Sequence, residues 1–496
     1  MAVPSSPASL AHVLDHQATV RPHAVAVRFE GRALTYAEFV DRCERAAALL
    51  AHDWGVKAGD RIAWLGANHP AQLVLLFALA RIGAILLPLN WRLAPAEWDG
   101  LLADCAPLHL VHDGNWADAA RELAARHGVA AHALEAIDAG APPDTRLPAA
   151  PRDGNERDPV LLVYTSGTTA RPKAAVHTQA NLLANMAIAA QAQRLLPEDV
   201  VATMLPMFHV GGLCIQTLPA LFAGAQVILH ARFTPDAALA CFAQDRPTLT
   251  LQVPATMKAL IEHPHWASTD LSSLRALWAG SSLIPAALVE AFHARGVPVC
   301  NVYGSTETGP FSIALPPEQA RSHVGSCGWP APGVEAMIEH PRDGVGELLL
   351  RAPNIADHYW PGVPARDPQG WFHTGDLASR AADGSYTIAG RAKDLIISGG
   401  ENIHPAEIET ALAEHPAVAE CAAFALADAQ WGELVAVAVV RRPGAEAGEE
   451  ELRAHLAQRL ARYKIPRRWL WLEALPKTAL GKVQRQALQQ LALPQR

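Results

Sequence analysis

Leu161-Leu162-Val163-Tyr164-Thr165-Ser166-Gly167-Thr168-Thr169-Ala170-Arg171-Pro172-Lys173 runs an apolar strand straight into a loop of hydroxyls, a glycine and a lysine. Such a loop offers backbone N–H groups, several hydroxyl donors and one ammonium, the donor set that a polyphosphate needs. The order differs from the G-x-x-x-x-G-K-[ST] loop of nucleotide hydrolases, and no Gly-Lys-Ser/Thr follows the strand. The strand itself is one of a series. Arg61–Leu65, Ile85–Leu89, Val160–Tyr164, Gln226–Leu229, Leu249–Val253, Ala276–Trp278 and Val297–Val302 are short apolar runs. Ala- and Leu-rich helical stretches separate most of them, which predicts an α/β fold with sheets covered by helices. Thr35 and Glu38 have capping-box spacing before Phe39, Cys43, Ala46, Ala47 and Leu50, and so start an amphipathic helix.

From about Gly344 the texture shifts to closely spaced strands and turns, including Gly346–Leu350, Trp371–Thr374 and Ser385–Ile388. These predict a small β subdomain at about 325–390 within an N-terminal domain of residues 1–392. A compact α+β domain of residues 393–496 is expected to follow, with a helix beginning at Pro405, strands near Val418–Leu426 and Leu434–Val440, and a helix from Glu450 to Arg462. At 496 residues the chain exceeds a single ordinary core.

A net charge of -8, with 50% hydrophobic and 18% charged residues, suits a globular chain and lacks the basic excess of a nucleic-acid binder. Seven cysteines stand singly without a C-x-x-C pair, which predicts a reduced, cytoplasmic protein. The N-terminal residues have no secretory pattern. The apolar stretch Leu73–Leu89 is interrupted by Arg81 and Gly83, so a buried helix and strand are expected there and no transmembrane segment. A monomer or homodimer is expected.

Four further segments carry chemistry. Asn301-Val302-Tyr303-Gly304-Ser305-Thr306-Glu307-Thr308-Gly309 ends an apolar strand with a ring suited to base stacking and a carboxylate suited to magnesium. Trp371-Phe372-His373-Thr374-Gly375-Asp376 puts an aspartate after a turn, where it can accept ribose hydroxyls. Gly390-Arg391-Ala392-Lys393-Asp394 precedes Ser398-Gly399-Gly400-Glu401-Asn402, and Pro476-Lys477-Thr478-Ala479-Leu480-Gly481-Lys482-Val483 closes the series.

In this order and separation, the five segments resemble the adenylate-forming superfamily of acyl-CoA synthetases, adenylation domains and firefly luciferase. Ser398–Asn402 and Tyr463–Pro466 are similar to segments of the fatty-acyl and aryl CoA ligases. The resemblance implies ATP, magnesium and coenzyme A as partners of a small carboxylic acid. It implies that Thr165, Ser166, Gly167, Thr168, Thr169 and Lys173 hold the ATP phosphates, that Tyr303 stacks on adenine, and that Asp376 and Arg391 bind the ribose. Thr306 then contacts the α-phosphate, Glu307 holds magnesium, and Lys482 assists adenylation. Lys393 becomes the hinge on which the C-terminal domain rotates, and Gly399, Gly400, Glu401 and Asn402 form the coenzyme A side. Ala170 and Ala174 stand where the family has glycines, and a Cβ costs about 1–2 kcal/mol wherever the backbone is left-handed.

Pro206-Met207-Phe208-His209-Val210-Gly211-Gly212 resembles the segment where relatives place a gate residue beside the acyl group, so His209, Val210, Gly211 and Gly280 are expected in an acyl pocket. His209 stands where amino-acid-activating relatives carry Asp, which disfavours an amino acid. Absence of Lys and Arg from Val201 to Ala231 disfavours a dicarboxylate. A hydrophobic acid is expected, with a fatty acid ranked before a benzoate- or cinnamate-type acid. Loading of a separate carrier protein and a nucleotide-binding pseudoenzyme are the alternative readings.

Overall fold

The computed structural model describes residues 9–142, 155–165, 172–280, 284–398, 401–428, 432–478 and 481–493. They divide into two compact units, Met1–Ala336 with Leu350–Phe372, and Met337–Leu349 with His373–Arg496. The fold is mixed α/β, as the strand and helix alternation predicts.

The first unit holds two large sheets. One runs Val363–Pro364, His358–Tyr359, Lys173–Thr178, Pro159–Thr165, Ile85–Pro88, Arg61–Leu65, His109–His112, Ala130–Ala133. Its central strands are parallel, with Arg61–Leu65 pairing to both neighbours, while Pro159–Thr165 and Lys173–Thr178 form an antiparallel hairpin. In the other sheet, parallel strands Val200–Thr203, Leu249–Gln252, Ala276–Gly280 and Val299–Tyr303 lie side by side. Burial on both faces accounts for their continuous apolar runs. Met204, Phe242, Leu260, Leu277 and Phe292 fill the core against one face of this second sheet.

The Thr35 capping box is formed, and it starts the helix Tyr36–Ala48. The apolar stretch Leu73–Leu89 falls in the helix Pro70–Ile82, with nearly every residue buried, and the strand Ile85–Pro88. Among the described residues no helix is long and apolar enough to cross a membrane.

A four-stranded sheet runs Glu335–Arg342, Val345–Arg351, Phe372–Arg380, Tyr386–Arg391, and its residues 337–349 and 373–391 belong to the second unit. A second sheet is built on the long antiparallel pair Val418–Asp428 and Gly432–Arg441. The helix Pro405–Ala413 starts at the expected proline. The next helix ends at Ala457, short of the expected Arg462. There Arg459 N and Leu460 N both donate to Leu456 O, and this tight turn returns Leu460 to the core of Ile408, Leu412, Val437 and Leu456.

Candidate active site

The strand Lys173–Thr178 carries much of the first unit's polar site. Thr165 pairs with Lys173 across the hairpin, and Thr165 Oγ1 donates to Lys173 O at 3.2 Å. This brings two of the predicted phosphate ligands to one end of the sheet; Ser166, Gly167, Thr168 and Thr169 lie outside the described residues, as does Ala170.

Ala174 corrects an expectation. It pairs with Tyr164 in extended strand and is buried in the core with Leu87, Leu162 and Val176. The left-handed cost therefore does not arise at this position, and its methyl group packs instead.

Four residues after Lys173, His177 is fully buried and its Nε2 donates to Thr306 O at 2.8 Å. The strand is thereby fastened to the loop carrying Thr306 and Glu307. Burial pushes the His177 pKa down to about 4, against smaller opposing effects of the Thr306 bond and Glu307. The imidazole is neutral in the folded protein at neutral pH. Unfolding restores a pKa near 6.5, so the unfolded chain binds the extra proton between about pH 6.5 and 4. Stability from this group is complete above pH 6.5 and declines as pH falls through that window. Urea melts should show His177→Gln losing about 2 kcal/mol less than the wild type between pH 7.5 and 5. Parallel pH dependences in the two proteins would contradict this origin.

Tyr303 ends the strand Val299–Tyr303, and its carbonyl accepts from Ser312 N at 3.1 Å. After it, Ser305 N donates to Thr308 Oγ1 at 2.8 Å, and buried Asn354 donates to Thr308 O at 2.7 Å and Phe311 O at 2.9 Å. Ala356 N donates to Glu307 O at 2.8 Å. The Glu307 carboxylate receives the Tyr359 hydroxyl at 3.0 Å, and Lys173 Nζ lies 5.5 Å from the Tyr359 ring centroid. Tyr303, Thr306, Glu307, Thr165 and Lys173 thus belong to one neighbourhood of the first unit.

A hard carboxylate oxygen and an ammonium connected through one tyrosine fit a magnesium–polyphosphate ligand. Sequence reading missed both His177 and Tyr359. His177 looks like one residue in an apolar strand, and Tyr359 sits in a Gly- and Pro-rich stretch that has no periodic signal.

His209 is the cap of a short helix, where its Nδ1 accepts from Gly211 N at 3.0 Å. Asn68 holds the preceding segment, accepting from Met207 N at 2.8 Å and donating to Leu205 O at 3.0 Å. Phe208 meets Trp91 edge-on at 6.1 Å, and Trp91 contacts Trp116 at 5.4 Å. Val210 and Gly211 are buried. Gly212 and Gly280 each lie against neighbouring backbone. A Cβ at Gly212 would overlap the carbonyl oxygens of Leu205 and Pro206, and one at Gly280 would overlap that of Val302. Both glycines permit close backbone approach.

In the second unit, the sheet register places Asp376 opposite Arg391. Arg391 Nε donates to Asp376 Oδ1 at 2.7 Å, and Nη1 donates to Thr374 O at 3.2 Å. Thr374 Oγ1 receives Asp376 N at 3.0 Å and donates to Leu348 O at 2.6 Å. The two predicted ribose ligands are therefore adjacent and oriented by their neighbours. Lys393 lies in the short turn Ala392–Asp394. Asp394 pairs with Arg485 at 3.2 Å, and Arg485 also pairs with Glu409 at 2.6 Å. Lys482 is exposed in a turn closed by Thr478, whose N donates to Lys482 O at 2.8 Å. The backbone of Glu401 and Asn402 belongs to the strand Glu401–Ile403, whereas Gly399 and Gly400 lie outside the described residues.

None of the seven cysteines forms a disulfide. Burial pushes the thiols of Cys105 and Cys241 up to about 12, which leaves neither as a thiolate nucleophile.

Residues 14–360 match the family model described as AMP-binding enzyme, and residues 407–482 match that of the AMP-binding enzyme C-terminal domain. The indoleacetate–CoA ligase of Aromatoleum aromaticum is 41% identical, over 97% of this chain and 98% of the relative. A feruloyl-CoA synthase of an Amycolatopsis species is 40% identical, over 94% of this chain and 96% of the relative. The crystal structure of ATP-bound MatB from Rhodopseudomonas palustris superposes with a TM-score of 0.88 at 31% identity, covering 97% of this chain and 98% of that one.

Proposed function

Since the chain belongs to the family of AMP-binding enzymes, we propose that it activates an aromatic carboxylic acid and transfers the acyl group to coenzyme A. It is an AMP-forming acid–thiol ligase that uses ATP, magnesium and coenzyme A. A carboxylate resists attack by a thiol because its oxygen is a poor leaving group. In the first half-reaction a carboxylate oxygen attacks the α-phosphorus of ATP, and pyrophosphate departs. In the second, the thiolate sulfur attacks the carbonyl carbon of the mixed anhydride, and AMP departs with the bonding pair.

The protein's part is to orient the reactants and neutralise charge, with no covalent intermediate on the chain. Magnesium, when bound, supplies positive charge to the phosphate oxygens. Glu307 is the residue assigned to hold it. We assign Thr165, Lys173 and Thr306 to the phosphates, Tyr303 to adenine, and Asp376 with Arg391 to the ribose. Lys482 is assigned to the adenylation step, Lys393 to the hinge, and the Gly399–Asn402 segment to the thiol side.

The aromatic substrate is supported by one observation above the others: two relatives at 40% identity or more, matched over almost their full length, are named for indoleacetate and feruloyl acids. Sequence reading alone ranks a fatty acid first. The aromatic cluster of Trp91, Trp116 and Phe208 next to His209 also favours a flat ring as the acid's apolar part.

Pyrophosphate release over a panel of arylacetic, hydroxycinnamic, benzoic and straight-chain fatty acids tests the proposal. At least one aromatic acid should exceed every fatty acid in kcat/KM by about 10-fold or more, the scale of a few pocket contacts. A fatty acid at the top of the panel would refute the aromatic assignment. Thioester formation only on a holo-carrier protein, and not on coenzyme A, would refute the acceptor.

A further inference from the structure

Tyr359 was not singled out by any sequence pattern, yet it touches two groups of the proposed nucleotide site. It lies on the strand His358–Tyr359, which pairs antiparallel with Lys173–Thr178 so that Tyr359 stands opposite Ala175. From that position its hydroxyl reaches Glu307 Oε1 at 3.0 Å, and its ring centroid lies 5.5 Å from Lys173 Nζ. One half-buried side chain therefore meets both the carboxylate assigned to magnesium and the ammonium assigned to phosphate. In this contact the phenol hydroxyl donates and the carboxylate oxygen accepts.

A donor on one carboxylate oxygen restricts rotation of the whole group and leaves Oε2 to face a cation. Outer contacts of this kind tune the affinity of a metal ligand without touching the metal. The ring acts on the other partner, because its negative face favours a nearby ammonium and limits the excursions of a long side chain. Backbone pairing adds rigidity to both effects: Trp360 N donates to Ala174 O at 2.9 Å, immediately after Tyr359.

From this geometry we infer that Tyr359 is a positioning residue for magnesium–nucleotide binding, its hydroxyl orienting Glu307 and its ring seating Lys173. The inference rests on the ATP-dependent reading above. It gives the two functions of the side chain separate signatures, because the hydroxyl acts through magnesium and the ring acts through the phosphate cation.

Calorimetric titration with ATP, in the absence of acid and coenzyme A, tests it in excess magnesium and in excess EDTA. Tyr359→Phe keeps the ring and removes the hydroxyl. It should weaken ATP binding about 10-fold or more in magnesium, the usual scale for losing an outer contact to a metal ligand, and leave binding in EDTA unchanged. Tyr359→Leu removes both contacts and should weaken binding under both conditions. In a Glu307→Gln background, Tyr359→Phe should add little further loss in magnesium, since its partner's charge is already gone. Equal weakening by Tyr359→Phe with and without magnesium, no weakening in either, or full additivity with Glu307→Gln would each overturn the inference. Failure of the wild type to bind ATP in magnesium would instead overturn the functional reading on which it rests.

Discussion

Lys482→Ala is expected to slow acyl-adenylate formation by about 10²–10³-fold, the usual cost of removing one preorganised charge contact from a reacting centre. Lys482 is exposed; its carbonyl accepts from Thr478 N at 2.8 Å, and its N–H donates to Thr478 Oγ1 at 3.2 Å. Alanine keeps both of these backbone bonds.

The proposed role is confined to the first half-reaction, where negative charge builds on the α-phosphate and pyrophosphate. Thiol attack needs an open path to the same carbonyl, and a lysine held there would obstruct it. Thioester synthesis from supplied acyl-adenylate should therefore remain close to normal. Single-turnover adenylate formation and coenzyme A consumption from synthetic adenylate measure the two steps separately. Equal slowing of both would show that the division of labour is wrong.

A second large effect is expected at Gly304, between the adenine-stacking candidate Tyr303 and the Thr306–Glu307 loop. A Cβ built on Gly304 overlaps the carbonyl oxygen of Pro310 and comes within 3.0 Å of Thr308 Oγ1. The main obstacle is backbone, so no side-chain rotation relieves it, and the loop that presents Thr306 and Glu307 must move. Gly304→Ala should cost about 3 kcal/mol or more, at the upper end of overpacking effects, and should abolish adenylate formation. Gly100→Ala is the contrasting substitution. Gly100 lies in the helix Pro95–Cys105 with nothing near its absent Cβ, so alanine should stabilise the protein by about 0.5–1 kcal/mol. Urea melts of both variants, with adenylate formation assayed in parallel, decide the matter. A Gly304→Ala protein with wild-type stability and activity would show that the loop is not constrained as described.

Much of the architecture could be read from local pattern. Buried parallel strands carry uninterrupted apolar runs, so Arg61–Leu65 and Gln226–Leu229 have the same bounds in sequence and structure. The Thr35–Glu38 box is equally local, since a side chain and backbone three residues apart form it. The chemistry-bearing segments were legible for a related reason: each packs its hydroxyls, carboxylate or lysine into a short contiguous run. Their order along the chain was enough to indicate an adenylate-forming enzyme.

What the chain determined by itself was this set of contiguous segments: the hydroxyl-rich run after Leu161–Thr165, the carboxylate-bearing run after Tyr303, and the aspartate of Thr374-Gly375-Asp376. Tertiary structure alone decided how they are joined. Glu307 and Tyr359 are 52 residues apart and meet because an edge strand pairs with Lys173–Thr178 in one particular register. His177 is a fully buried donor to Thr306, joining a strand of one sheet to the loop that follows a strand of the other. Ala174 reads as a lost loop glycine, but strand pairing turns it into core. Residue spacing encodes which face of a strand is apolar, whereas register and partner depend on long-range ladder bonds and packing that no short window of sequence contains.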